Sequence, residues 1–232
     1  MHATNRRELK TRKRAWVAYL TRRLVATNIT PNQISLISMV CAVLSGLSFY
    51  SFSHQPHWVW LVLAAIFIQL RLLCNMMDGL VAVEGGKGTK SGELFNDIPD
   101  RFADIFILLG AGYAASSNWG AALGCSAAML AVMTAYIRTL GGSLGAPISF
   151  MGPMAKQHRM GALTAISLLA IAETLLWNSH WLLLIGLLLI IAGTLWTCYR
   201  RAAAIYHFLE QQPDKQVDKQ PNKQRGREND VV

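Results

Sequence analysis

Charge is what this chain of 232 residues has least of. Asp, Glu, Lys and Arg make up 15% of it, where an ordinary soluble domain carries about 25%. Between Ile105 and Ile137 no residue is charged, hydrophobic residues make up 53% of the chain, and the mean hydropathy is +0.30. These deficits exclude a conventional soluble globule and a disordered chain. Cysteine is scarce and scattered. Cys41, Cys74, Cys125 and Cys198 stand singly in apolar segments with no C-x-x-C pair, which excludes a disulfide scaffold and leaves them as small buried hydrophobes. A G-x-x-x-x-G-K-[ST] phosphate loop is missing too, although residues 85–92 are rich in glycine and no strand precedes them.

In place of charge the chain has apolar runs of spanning length. A bilayer core takes about 20 apolar residues per helix. The first candidate runs from about Gln33 to Phe52, with Thr30 placed to cap it and Pro31 in its first turn. The others cover about Trp58 to Gly79, 97–115, 119–139, 160–177 and 181–199. The pattern predicts an all-α integral membrane protein with six transmembrane helices and an N-terminal amphipathic interfacial helix. That helix is expected over Arg6 to Val25, with Trp16, Val17, Leu20 and Leu24 on one face and Arg12, Lys13, Arg22 and Arg23 around it. The expected organisation is a basic cytoplasmic leader and interfacial helix over 1–29, a membrane domain over 30–208 and a polar, disordered tail over 209–232.

The loops near 53–57, 116–119 and 178–180 contain no Lys or Arg, and all 22 basic residues lie on the opposite side or in the inner halves of helices. The positive-inside rule then places both termini in the cytoplasm. The net charge of +9 is explained by orientation and contact with membrane lipids, with no nucleic-acid partner. The basic leader is long and the apolar run after it is long enough to span, so no cleaved signal is expected, and a bacterial inner membrane fits the short loops.

One polar cluster is not explained by the bilayer. Asn75, Asp78, Glu84, Glu93, Asn96, Asp97, Asp100 and Asp104 crowd the facing ends of the second and third helices, and charge beside a membrane core is a functional signal. Asn75 and Asp78 are i, i+3 neighbours, as are Asp97 and Asp100, while Asn96, Asp100 and Asp104 are spaced by four. Glu84 and Glu93 read as interface residues. The converging oxygens, with no His or Cys, suit a hard cation such as Mg²⁺ or Mn²⁺.

The segment from Asn75 to Asp100 resembles the CDP-alcohol phosphotransferase motif, D-x2-D-G-x2-A-R-x8-G-x3-D-x3-D. Asp78, Gly79, Ala82, Gly92 and Asp100 match it, whereas Asn75 and Asn96 stand at two Asp positions and Val83 at the Arg position. The wider resemblance, which includes Thr30-Pro31-Asn32 and the six-helix plan, covers about residues 15–205. It implies a transferase that moves a phosphatidyl or similar substituted phosphate group from a CDP-linked lipid such as CDP-diacylglycerol to an alcohol acceptor, with release of CMP. It also implies a homodimer and an active site at the cytoplasmic face. By the same resemblance Asn75, Asp78, Asn96 and Asp100 hold the Mg²⁺ or Mn²⁺, and Asp100 is the general base. Gly79, Ala82 and Gly92 leave room for the nucleotide. Each Asn removes one negative charge, so three outcomes are open: weaker metal binding, recruitment of Asp97 or Asp104 as ligands, or loss of activity. Arg71, Lys87 and Lys90 are candidate replacements for the missing arginine. Lys156 and Arg159, i, i+3 at the start of the fifth span, form a second cluster able to bind an anion or anionic acceptor. The reading from another class is a catalytically silent lipid-binding or scaffold protein that keeps the fold.

Overall fold

A computed structural model describes residues 15–89, 91–115, 117–147, 151–177, 179 and 181–211. Its helices are α1 (Ala15–Val25), α2 (Pro31–His54), α3 (Trp58–Glu84), α4 (Gly92–Ala114), α5 (Gly120–Ser143), α6 (Lys156–Trp177) and α7 (Trp181–Glu210), and the described residues contain no strand. Local chemistry sets their starts. Thr30 Oγ1 accepts from the Gln33 amide at 3.3 Å while Gln33 Oε1 accepts from the Thr30 amide at 3.0 Å, and Pro31 occupies the first turn, where its missing N–H costs nothing. At the other end of the bundle Glu173 solves two problems together. Its carboxylate accepts from Ser179 Oγ and from the Trp181 and Leu182 amides at 2.8–3.1 Å, so a charge near the end of α6 caps the start of α7.

Five helices, α2, α3, α5, α6 and α7, are long and apolar enough to cross a membrane. Their outer faces present Leu36, Val40, Leu47, Leu168, Leu175 and Leu189, all exposed, which is the surface a helix offers to lipid. The chain is therefore built as an integral membrane α-protein. The expected six spans become five on this criterion. α4 has 23 residues, about 35 Å at the helical rise, but between its start and just past its middle it carries Glu93, Asp97, Asp100, Arg101 and Asp104. Helices also outrun the apolar segments that announce them: α3 continues past Gly79 to Glu84, α4 starts at Gly92, and α7 runs on to Glu210. Hydropathy marks where lipid contact ends, whereas backbone hydrogen bonding continues into the polar zone.

The six long helices pack as a closed ring in the spatial order α2, α3, α6, α7, α5, α4, with α4 returning to α2. Apolar attraction between helices is weak in lipid, so small residues that let backbones approach carry much of the packing. A Cβ at Gly110 would lie 2.5 Å from the Gly46 carbonyl oxygen, and one at Gly112 would lie 2.7 Å from Gly124 Cα. Backbone contact through glycine thus fixes α4 between α2 and α5.

Residues 6–14 of the expected interfacial helix lie outside the described residues, as does the tail from 212. The described part, α1, packs on α3, with Val17 buried against Met77, Leu80 and Val81, and with Leu20 and Leu24 beside them. Trp16 departs from the expected face and is 48% exposed, because the packed face centres on Val17 and Thr21, whose hydroxyl bonds the Val17 carbonyl at 2.9 Å.

Gly110→Val should drive a side chain into the α2 backbone and lower stability by about 1–3 kcal/mol. Gly161→Ala, where an added Cβ meets nothing within 4 Å, should leave stability unchanged. Thermal unfolding of both variants in nanodiscs checks the contrast.

Candidate active site

The ring brings one end of four helices together: the starts of α2, α4 and α6 and the end of α3. Beneath that end lies a layer of buried ions. Asp104 on α4 accepts from Arg71 Nη2 on α3 at 2.7 Å and from Arg159 Nη2 on α6 at 2.7 Å, and all three residues are at most 1% exposed. Charges this deep persist only when paired. Arg71, a candidate replacement for the motif's missing arginine, is thus engaged by carboxylates, 2.7 Å from Asp104 and 3.5 Å from Asp100.

One helical turn nearer the surface, each of these helices presents a second polar residue. Asp100 is paired with Lys156 Nζ through Oδ2, receives Asn75 Nδ2 at 2.5 Å on Oδ1, and has Arg71 Nη2 at 3.5 Å. Asp78 is 3% exposed; its Oδ2 accepts from Ser35 Oγ at 2.7 Å, while Oδ1 is buried without a hydrogen-bond partner among the described residues. Ser38 donates towards Asn75 Oδ1 at 2.5 Å and towards the Arg71 carbonyl at 3.2 Å. The structure thus unites Asn75, Asp78, Asp100 and Lys156. It adds two α2 hydroxyls, Ser35 and Ser38, that the motif does not contain. Their signal was present in the sequence as the serines at 35, 38, 45 and 48, a helical seam that is buried throughout.

Other expected site residues are placed differently. Asn96 is half-buried one turn before Asp100. Asp97 turns to Arg101 and Arg138 at 3.2–3.3 Å, and Asp104 is held by its two arginines. Arg159 is buried on Asp104 and the Met154 carbonyl, and Lys156 faces Asp100, so the two cations of that cluster meet carboxylates. Their position depends on Gly152, whose φ of +123° favours glycine, and on Thr197 Oγ1, which accepts the Met154 amide at 3.1 Å just before α6 begins. Of the candidate replacements for arginine, Lys87 bonds the carbonyls of Val25, the last residue of α1, and of Thr27, and Lys90 lies outside the described residues.

Among the described residues no three His, Cys, Asp or Glu side chains cluster as a metal site, so amide and hydroxyl oxygens would have to complete one. They fit a hard cation. Asp78 Oδ1 is an unused buried oxygen, and Ser38 has one proton for two acceptors. Turning the Asn75 amide end for end lets Nδ2 donate to Ser38 and Ser38 donate to the Arg71 carbonyl. It also sets Oδ1 beside the Asp100 carboxylate, so that a hard cation would meet amide and carboxylate oxygens together.

A ring of long apolar helices with buried ion pairs and a layer of carboxylate, amide and hydroxyl side chains towards one end defines a polytopic membrane protein with a polar site. Residues 28–196 match the CDP-alcohol phosphatidyltransferase family, and the chain belongs to it. It is 24% identical to the Escherichia coli (strain K12) inner membrane protein YnbA over 180 residues, which is 77% of this chain and 85% of that one. It is 29% identical to the archaetidylinositol phosphate synthase of Pyrococcus horikoshii over 96 residues, 41% of this chain and 47% of that enzyme. With the phosphatidylinositol phosphate synthase of Mycolicibacterium smegmatis it shares 28% identity over 106 residues, 46% of this chain and 42% of that enzyme. The fold is shared with the Mycobacterium tuberculosis phosphatidylinositol phosphate synthase. The TM-score is 0.65 to the structure with CDP-DAG bound (18% identity, 81% of this chain and 92% of that one). It is 0.67 to the structure with manganese and citrate (18% identity, 81% and 88%).

Asp104→Asn should leave two buried guanidinium groups on one neutral amide and destabilise the protein by about 3–5 kcal/mol. Asp97→Asn, at a side chain 49% exposed, should cost less than about 1 kcal/mol. Unfolding of the two variants in nanodiscs, measured side by side, checks the difference.

Proposed function

We propose that this protein is a metal-dependent CDP-alcohol phosphatidyltransferase, which moves a phosphatidyl group from a CDP-linked lipid such as CDP-diacylglycerol to an alcohol acceptor and releases CMP. The observation that carries this reading is the meeting of Asn75, Asp78 and Asp100, all on the family motif, at one end of a membrane bundle. Asp78, Asp100 and the carbonyls of Asn75 and Asn96 would hold Mg²⁺ or Mn²⁺. Such an ion supplies neutralisation of the donor pyrophosphate when bound. The M. tuberculosis relative is known with manganese and with CDP-DAG, which supports the same ligand classes here.

The chain's own residues supply the rest. Asp100 is the base for the acceptor hydroxyl, a role that needs one carboxylate oxygen within hydrogen-bond reach of that hydroxyl. Arg71 steadies the other oxygen. Gly79, Ala82 and Gly92 give the nucleotide room against backbone. Arg159 fixes the start of α6 so that Lys156 stays at the site, and Lys156, a quarter exposed along its side chain, can also meet an anionic donor or acceptor. We read the two asparagines as a variant of the motif that retains function, since both keep an oxygen where a carboxylate oxygen would be. α4 is the sixth span in this reading, with Asp100 and Asp104 tolerated because they are paired inside the ring. Both termini and the site face the cytoplasm of a bacterial inner membrane, α1 lies in the interface, and a homodimer is the expected assembly.

Purified protein in nanodiscs should release CMP from CDP-diacylglycerol with one of glycerol 3-phosphate, inositol, an inositol phosphate, serine, choline or glycerol. EDTA should stop the reaction, and Asp100→Asn should slow it by at least about 100-fold without loss of folding. Release with no acceptor on the panel, from folded protein that binds Mn²⁺, would point to another CDP-linked donor or another acceptor class. Neither release nor Mn²⁺ binding would favour a silent scaffold.

A further inference from the structure

The recess is electrically balanced by its own side chains. Three carboxylates, Asp78, Asp100 and Asp104, stand with three cations, Arg71, Lys156 and Arg159. Two of those cations cannot leave. Arg71 is 0% exposed and Arg159 1%, and both are locked on Asp104 inside the ring. Lys156 differs in every respect. It is the first residue of α6, its side chain is 25% exposed, and it touches one oxygen of Asp100. Its ammonium sits on a flexible four-carbon stem that can reorient.

Two asparagines stand where the motif has carboxylates, so a divalent cation entering this recess meets no excess negative charge. It meets an ammonium already bonded to one of the two carboxylates it would use. We propose that Lys156 is an exchangeable counter-cation of Asp100: it neutralises the carboxylate, and a divalent cation has to displace it. This rests on the metal-dependent reading above and deepens it. Asp100 then has two alternative partners. Asn75 would follow the exchange, because its amide nitrogen donates to Asp100 in this structure and turning the amide end for end would offer its oxygen instead. The displaced ammonium is left at the mouth of the recess, where a phosphate-bearing ligand would meet it.

The test is a Mn²⁺ titration of the full chain in nanodiscs, followed by the loss of the free Mn²⁺ electron paramagnetic resonance signal. Lys156→Gln should tighten Mn²⁺ binding at least about tenfold, which corresponds to about 1.4 kcal/mol. Lys156→Arg, which keeps the cation, should stay within about threefold of the parent. In an Asp100→Asn background the Lys156→Gln change should give no gain, because the competition runs through that carboxylate. A second readout does not depend on metal affinity. In EDTA Lys156→Gln should melt below the parent, since Asp100 loses its counter-ion, and saturating Mn²⁺ should remove that difference. Equal or weaker Mn²⁺ binding by folded Lys156→Gln overturns the proposal and leaves the metal-dependent reading standing. Absence of Mn²⁺ binding in every form, including Asn75→Asp, overturns both.

Discussion

Everything at the polar end of this bundle depends on one buried interaction, the carboxylate of Asp104 held between the guanidinium groups of Arg71 and Arg159. In a low-dielectric interior an unpaired charge is prohibitive, so α3, α4 and α6 can close the ring only in a register that brings these three together. The register then places the site. Asn75 lies one turn after Arg71, Asp100 one turn before Asp104, and Lys156 one turn before Arg159, so the layer above the ion triad contains the side chains proposed for the chemistry. The site is positioned by rigid helices that meet at a fixed charge contact.

Glycine and serine make that contact possible in lipid. Close approach at Gly46–Gly110 and Gly112–Gly124 clamps α4, the most charged of the long helices, between α2 and α5. The serines of α2 supply hydroxyls where the backbones come near: Ser45 donates to the Ala64 carbonyl at 3.1 Å, Ser38 faces Arg71 and Asn75, and Ser35 reaches Asp78. Hydroxyls suit this place because they satisfy a carboxylate or a carbonyl without adding charge.

The asparagines change the electrostatics more than the shape. Asn75 keeps an oxygen in place, but its nitrogen can donate, and in this structure it donates to Asp100. A carboxylate there would face Asp100 across the same gap with like charge. An amide bridges that gap with a hydrogen bond, and Lys156 pairs with the same carboxylate. Membership of the CDP-alcohol phosphatidyltransferase family is thus combined with a site in which one carboxylate, Asp100, is paired with the chain's own cation.

The location of the helices, the cap at Thr30 and the faces that carry Asn75, Asp78 and Asp100 were all legible in the sequence, because helical periodicity and capping are local properties of neighbouring residues. Arg71 could be placed on the face of Asn75 for the same reason. The sequence could not say that Asp104 is shared by two arginines, that Glu173 caps the next helix, that Trp16 is turned away from the packed face, or that Lys156 settles on Asp100 with Ser35 and Ser38 completing the recess. Those outcomes belong to the closure of the ring. Which face of each helix turns inward, and at what height, is decided by glycine contacts and ion pairing between segments far apart in the chain, where no local pattern of spacing reaches.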